Sequence, residues 1–195
     1  MRKLTYCIAT TLDGFITDPS GGNPFVPGGP LVPAPDYVEH LVEHYPEILP
    51  VMAREALGVT APGVLFDTVV EGRRSYRIGL DAGVTDAYPH LRHYVFSTTL
   101  GHSPDPAVEV VGTDPVAKVR ELKSEEGLGI WLIGGGELAG TLYAEIDELI
   151  LKVAPVTIGS GIPLFGGKAT YDPHHFTLTE SVVLPSGALF LTYSR

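Results

Sequence analysis

Between residues 129 and 136 the chain reads Gly-Ile-Trp-Leu-Ile-Gly-Gly-Gly, an unbroken apolar run closed by three glycines. A strand with no polar alternation must be covered on both faces, which places it inside a mainly parallel sheet with helices on either side. Leu138, Leu142 and Tyr143 follow with helical spacing, so the strand passes through a glycine turn directly into a helix. Three consecutive glycines allow backbone amides to approach a ligand closely, and a helix start favours anionic groups. A pyrophosphate suits such a turn. A Walker loop is excluded because no Lys-Ser or Lys-Thr follows, and the segment is a poor match to a Rossmann fingerprint.

The rest of the chain repeats this alternation. Leu4 to Thr10 reads as a buried first strand that turns at Asp13-Gly14. Residues 18–35 are rich in Pro and Gly and form a long loop of the kind that binds or covers a ligand. Asp36 is expected to cap a helix, with Glu39 at its third position. A second helical segment follows Pro46 and stops at Gly58. Gly63 to Val70 reads as a strand, as do Tyr94 to Ser97 and Val108 to Val111. Asp114-Pro115 opens a helix that Gly127 ends. Glu148 to Ala154 is a further strand, and Pro185-Ser186-Gly187 joins two closing strands into a hairpin. The expected architecture is α/β: one domain over 1–195, a mainly parallel sheet flanked by helices, and a C-terminal antiparallel hairpin.

A second motif resembles the first in position. The strand ending at Val70 runs into Glu71-Gly72-Arg73-Arg74-Ser75, and two arginines with a hydroxyl at a helix start make an anion site. In open α/β sheets ligands bind outside the carboxyl ends of strands, where both turns fall. A glycine turn for a pyrophosphate and an arginine turn for a further phosphate together match NADPH better than NADH.

Composition narrows the remaining classes. The formal net charge is −10, with 13 basic residues spread among 23 acidic ones, which argues against a nucleic-acid partner. Cys7 is the single cysteine and is expected in the core, so neither an intramolecular disulfide nor a cysteine-based zinc site is available. The basic and then apolar N-terminus is too short to read as a signal peptide or membrane span, so the expected location is the cytoplasm. His40 and His44 share a helix face without the HExxH order, and His174-His175 lies in a loop, so no metal is expected.

Four segments, Thr11 to Ile16, Phe66 to Tyr76, Ile133 to Leu138 and Pro155 to Phe165, carry a resemblance to the dihydrofolate-reductase-like superfamily. More closely, the chain resembles stand-alone relatives of the reductase domain of the bifunctional riboflavin-biosynthesis deaminase-reductase, over nearly its whole length. The resemblance implies a dihydrofolate-reductase-like fold and a cofactor site. Gly72, Arg73, Arg74 and Ser75 would grip the adenosine phosphate, Ser97 and Thr98 would wall the adenine, and Gly134, Gly135, Gly136, Glu137 and Leu138 would hold the pyrophosphate. Ala9 and Ile16 would lie beside the nicotinamide. On the substrate side it implies Gly161 and Phe165, and an acid on the first helix, which Asp36, Glu39 or Glu43 could supply, Asp36 being taken first. Two positions depart from the family pattern: Glu71 replaces an apolar residue, and Phe15 stands where a lysine is usual.

The expected activity is NADPH-dependent hydride transfer to a small heterocyclic or carbonyl substrate, similar to 5-amino-6-(5-phosphoribosylamino)uracil reductase. Dihydrofolate reduction, or nucleotide binding without turnover, are the alternatives. Asp13 is the first candidate for a catalytic polar group, its competing role being that of a turn residue before Gly14. The expected partners are a small-molecule substrate and a second copy of the chain in a homodimer, with neither nucleic acid nor membrane.

Overall fold

The computed structural model describes residues 1–26, 28–167 and 171–195. In chain order the elements are β1 (Leu4–Thr11), β2 (Phe15–Thr17), α1 (Pro35–His44), α2 (Val51–Leu57), β3 (Phe66–Gly72) and α3 (Arg73–Asp81). Then come β4 (Arg92–Phe96), β5 (Val108–Val111), α4 (Pro115–Ser124), β6 (Gly129–Gly134) and α5 (Gly136–Thr141). The chain closes with β7 (Glu148–Ala154), β8 (Ile162–Pro163), β9 (Thr177–Val183) and β10 (Leu189–Ser194).

Eight strands form one sheet in the order β5-β4-β3-β6-β1-β7-β10-β9. The pairings from β5 to β7 are parallel, and β10 joins β7 and β9 antiparallel. The α/β architecture and closing hairpin expected from the sequence are therefore present. Each face carries its own core. On one, Tyr6, Val70, Ile130 and Leu132 pack with Val119 and Leu122 of α4 and Leu138 of α5. On the other, Cys7, Val69, Trp131 and Ile150 pack with Tyr37 and Leu41 of α1 and with Phe190. Consecutive residues of β1 and β6 thus feed opposite cores, which is why those strands read as unbroken apolar runs.

Several boundaries moved, each for a local reason. Strand β3 begins at Phe66 rather than Gly63 because the wholly buried Glu47 captures the amides before it. Its Oε1 accepts from Val64, Leu65 and Phe66 N at 3.1, 2.7 and 3.2 Å. The N-cap of α1 is Ala34 rather than Asp36, which sits inside the first turn and binds elsewhere. Helix α4 ends at Ser124 instead of running to Gly127, while its expected cap is present, with Asp114 accepting from Val116 and Ala117 N. Helix α2 stops at Gly58, which takes the left-handed conformation with φ +65°. The β2–β8 pair was missed because two- and three-residue strands carry no period. Of the Pro/Gly loop 18–35, residue 27 lies outside the described residues; Leu31 is buried, and Pro35 already begins α1.

Candidate functional site

Parallel pairing of β3 with β6 sets Glu71 opposite Gly134, so the arginine turn and the glycine turn emerge side by side at the carboxyl ends of adjacent strands. A Cβ placed on Gly72 would lie 3.7 Å from Gly134 O and 3.8 Å from Gly135 N. Among the described residues a Cβ on Gly134 or Gly135 would meet Ile8, Ser75 and Ile16 at 3.6 Å or beyond, ordinary van der Waals distances, so no atom crowds the turn more closely. Gly134 has φ +137°, a conformation that a residue with a side chain rarely adopts. Gly136 is glycine for another reason: its Cβ would fall 2.3 Å from Pro163 O, in the short strand β8. Gly72 and Gly135 precede α3 and α5 and give neither helix a side-chain cap. Arg73 and Arg74 are exposed beside this groove, and Arg74 Nη1 is 3.5 Å from Glu137 Oε1, an ion pair across the two turns.

Beneath the arginine turn lies a buried polar chain. Glu71 Oε1 and Asp86 Oδ1 each sit 2.8 Å from a ring nitrogen of His93, on Nε2 and Nδ1 respectively. Burial opposes a charge on His93, but the bonds to Asp86 and Glu71 outweigh it and push its pKa up to about 9. Burial also works against the Asp86 carboxylate, yet the bonds from His93 and the Tyr88 amide hold its pKa below the usual value. For Glu71 burial wins over His93 and raises the pKa. The imidazolium is thus clamped between two acids directly under Gly72, with the Tyr76 ring of α3 edge-on to it at 5.8 Å.

A cavity of about 120 Å³ opens at the carboxyl ends of β1 and β7, on the α1 face. It is lined by Ala9, Ala154, Pro155 and Ala188 together with Leu31 to Ala34 and Tyr37. Among the described residues, Lys152 is the one charged residue in this lining. It is 8% exposed and has no hydrogen-bond or ion-pair partner among the described residues. In register it is flanked by Ala9 on β1 and Phe190 on β10. No carboxylate lines the cavity among the described residues.

The structure distributes the sequence-derived candidates as follows. Gly72, Arg73, Arg74, Ser75, Gly134, Gly135, Gly136, Glu137 and Leu138 converge on the two adjoining turns, and Ile16 lies against Gly135. Ala9 lies in the cavity wall. Ser97 follows β4, and its hydroxyl accepts from Thr99 and Leu100 N, leaving Thr98 exposed. Four candidates play other parts than expected. Asp13 accepts from Thr11 Oγ1, Ile158 N and Gly159 N, at 2.6, 3.1 and 2.7 Å. Those bonds, chiefly the one from Thr11, lower its pKa, so it is held as a carboxylate that ties two loops together and is a poor proton donor. Asp36 accepts from Ser186 N and Tyr37 N, pinning the closing hairpin to α1. Gly161 is packed against Thr17 O, which its Cβ would meet at 2.2 Å. Phe165 packs edge-on to Tyr6 and Tyr143, in the core of the opposite sheet face.

Sequence reasoning missed Lys152, Tyr37 and the His93 cluster. Lys152 left one trace, a lone charge inside the apolar run Leu149 to Ala154. The cluster left only the acid at Glu71, where an apolar residue is usual, because its partners Asp86 and His93 meet it only across folded elements.

Comparison with solved structures supports the same fold. A putative riboflavin biosynthesis protein from Shewanella sp. PV-4 superposes with a TM-score of 0.70 at 24% identity, over 100% of this chain and 99% of that one. A pyrimidine reductase-like protein from Corynebacterium diphtheriae gives 0.61 at 16% identity, covering 99% and 91%. A deaminase/5-amino-6-(5-phosphoribosylamino)uracil reductase from Thermotoga maritima gives 0.63 at 14% identity, covering 99% of this chain and 56% of that one. Among sequence relatives, uncharacterized protein YwjB of Bacillus subtilis is 38% identical over 101 residues, 51% of this chain and 58% of its own length. YyaP of the same organism is 26% identical over 177 residues, 84% of this chain and 80% of that protein. The family model of the RibD C-terminal domain matches residues 2–190, and the chain belongs to that family.

Proposed function

We propose that this protein is an NADPH-dependent reductase that delivers a hydride to a C=O or C=N bond of a small substrate. In reaction type it would resemble the uracil reductase of riboflavin biosynthesis. The observation that carries this reading is the meeting of Gly72-Arg73-Arg74-Ser75 with Gly134-Gly135-Gly136 at one end of the sheet, beside the cavity at Ala9. The glycine turn, the uncapped α3 start and the exposed arginines fit a phosphate-bearing dinucleotide.

When bound, the cofactor supplies the hydride. The chain's own part is to bind and orient. Arg73 and Arg74 would take the 2′-phosphate, and the glycine-turn amides the pyrophosphate. Ala9 and Ile16, both apolar and buried, would lie beside the nicotinamide. Leu31 to Ala34, which line the cavity, would help shield the acceptor bond from water. The proton that completes the reduction goes to the substrate's oxygen or nitrogen. Asp13 is ill placed to give it, since its oxygens already accept three bonds. Folate reduction is the weaker reading, because the cavity lining holds a lysine and no acid among the described residues. The proposal extends to a homodimer along β9, the exposed edge strand of the sheet.

Titration with NADPH and NADH tests the core of this reading. Charge-assisted phosphate contacts are worth about 1.5–3 kcal/mol, so Arg73→Ala/Arg74→Ala should weaken NADPH binding at least about tenfold while NADH changes little. Equal losses for both cofactors, or no binding of either to the wild type, would refute it.

A further inference from the structure

We infer that Lys152 determines substrate specificity: the cavity takes a small, single-ring or similarly compact carbonyl compound whose anionic or electron-rich oxygen docks on the Lys152 ammonium. This rests on reading the cavity as the substrate site of the proposed reductase.

Four observations support it. A buried charge is costly unless something compensates it. Lys152 is 8% exposed, yet no carboxylate, carbonyl or hydroxyl among the described residues bonds to it. Its nitrogen is absent from the sealed, unpartnered side-chain atoms, Arg2 Nη1, Glu47 Oε2 and His174 Nδ1, so it opens onto the cavity it lines. Phe190 flanks it on β10, but on the other side its partner in register is the small Ala9 of β1, and Ala154 and Ala188 also line the cavity, leaving space beside the ammonium for a ligand.

The other groups agree in sign. Tyr37 also lines the cavity, and its hydroxyl has no partner among the described residues. Burial raises its pKa, so it is present as the neutral phenol, a second donor. The nearby acid Asp36 is occupied by the Ser186 and Tyr37 amides and is not part of the lining. A site built from an ammonium, a phenol and apolar walls selects an oxygen acceptor and rejects a cation. Size adds a bound. A dry cavity of about 150 Å³ holds benzene, so the 120 Å³ here has room inside it for roughly one ring.

The test uses three single-ring probes of graded charge, benzoate, benzamide and benzylamine, titrated by calorimetry into the wild type and into Lys152→Met. Benzoate should bind the wild type at least tenfold more tightly than benzylamine, with benzamide between them. Lys152→Met should erase that order, and Lys152→Arg should restore it. NADPH affinity, titrated separately, should stay within threefold in both variants. Should Lys152→Met fail to fold, Lys152→Gln is read in its place. The wild-type order is decisive alone: no probe binding at millimolar concentration, or benzylamine binding as well as benzoate, overturns the inference. Persistence of the order in Lys152→Met also overturns it. Failure of NADPH to bind while the probe order holds would instead overturn the reductase reading and leave the Lys152 site standing.

Discussion

Replacing His93 by asparagine removes the cation from the middle of the Glu71–His93–Asp86 chain and leaves two acids in a pocket where the imidazole had no exposed surface. The size of the effect follows from the His93 pKa. Raising it from the ordinary 6.5 to about 9 is worth roughly 3 kcal/mol of folding free energy. Because the folded value lies above the unfolded one, this contribution is complete below pH 6.5 and disappears as pH rises through about 9. The stability gap between wild type and His93→Asn should therefore be about 3–5 kcal/mol at pH 6, the cost of breaking a buried pair. Above pH 9.5 it should shrink to about 1 kcal/mol, what the lost hydrogen bonds alone are worth. Urea unfolding across pH 6 to 10 measures the gap, with the single, buried Trp131 as fluorescence probe. A gap constant over this range would show that His93 is neutral in the fold and refute the reasoning. A gap that widens with pH would mean that the acids rather than the histidine carry the proton.

Two further perturbations address positions that the structure reassigned. Glu47→Ala strips the acceptor from three backbone amides at the start of β3, one of them the buried Phe66, and should cost about 2–4 kcal/mol. Glu47→Gln, which keeps an acceptor oxygen, should cost clearly less in the same unfolding assay, and equal losses would remove the amide-capture argument. Asp13→Asn should speed hydrogen exchange at Ile158 and Gly159, the amides its carboxylate holds, and leave NADPH affinity unaltered. Unchanged exchange rates would show that the tie between these loops does not depend on the carboxylate.

The sequence by itself determined the α/β class, the buried parallel strands, the closing hairpin and the two turns that make the candidate cofactor site. These features are local: an apolar run, a glycine run and paired arginines each state their preference within a few residues. Asp114-Pro115 and Gly58 were legible on the same ground, because a cap or a left-handed stop is a property of its own turn. What each polar side chain does was decided by tertiary structure. Asp13 and Asp36 looked available for chemistry, but their partners are amides 145 and 150 residues away in sequence. Phe165 was assigned to the substrate side, yet the sheet lies between it and the cavity: Phe165 packs on Tyr6, and the cavity shares its face with Cys7 and Tyr37. Lys152 gained its meaning only when β1 and β10 closed on either side of β7 and left its ammonium facing a cavity instead of an acid. Backbone preference is set by neighbours in the chain, whereas the charge state and partner of a buried group are set by whatever the fold packs against it.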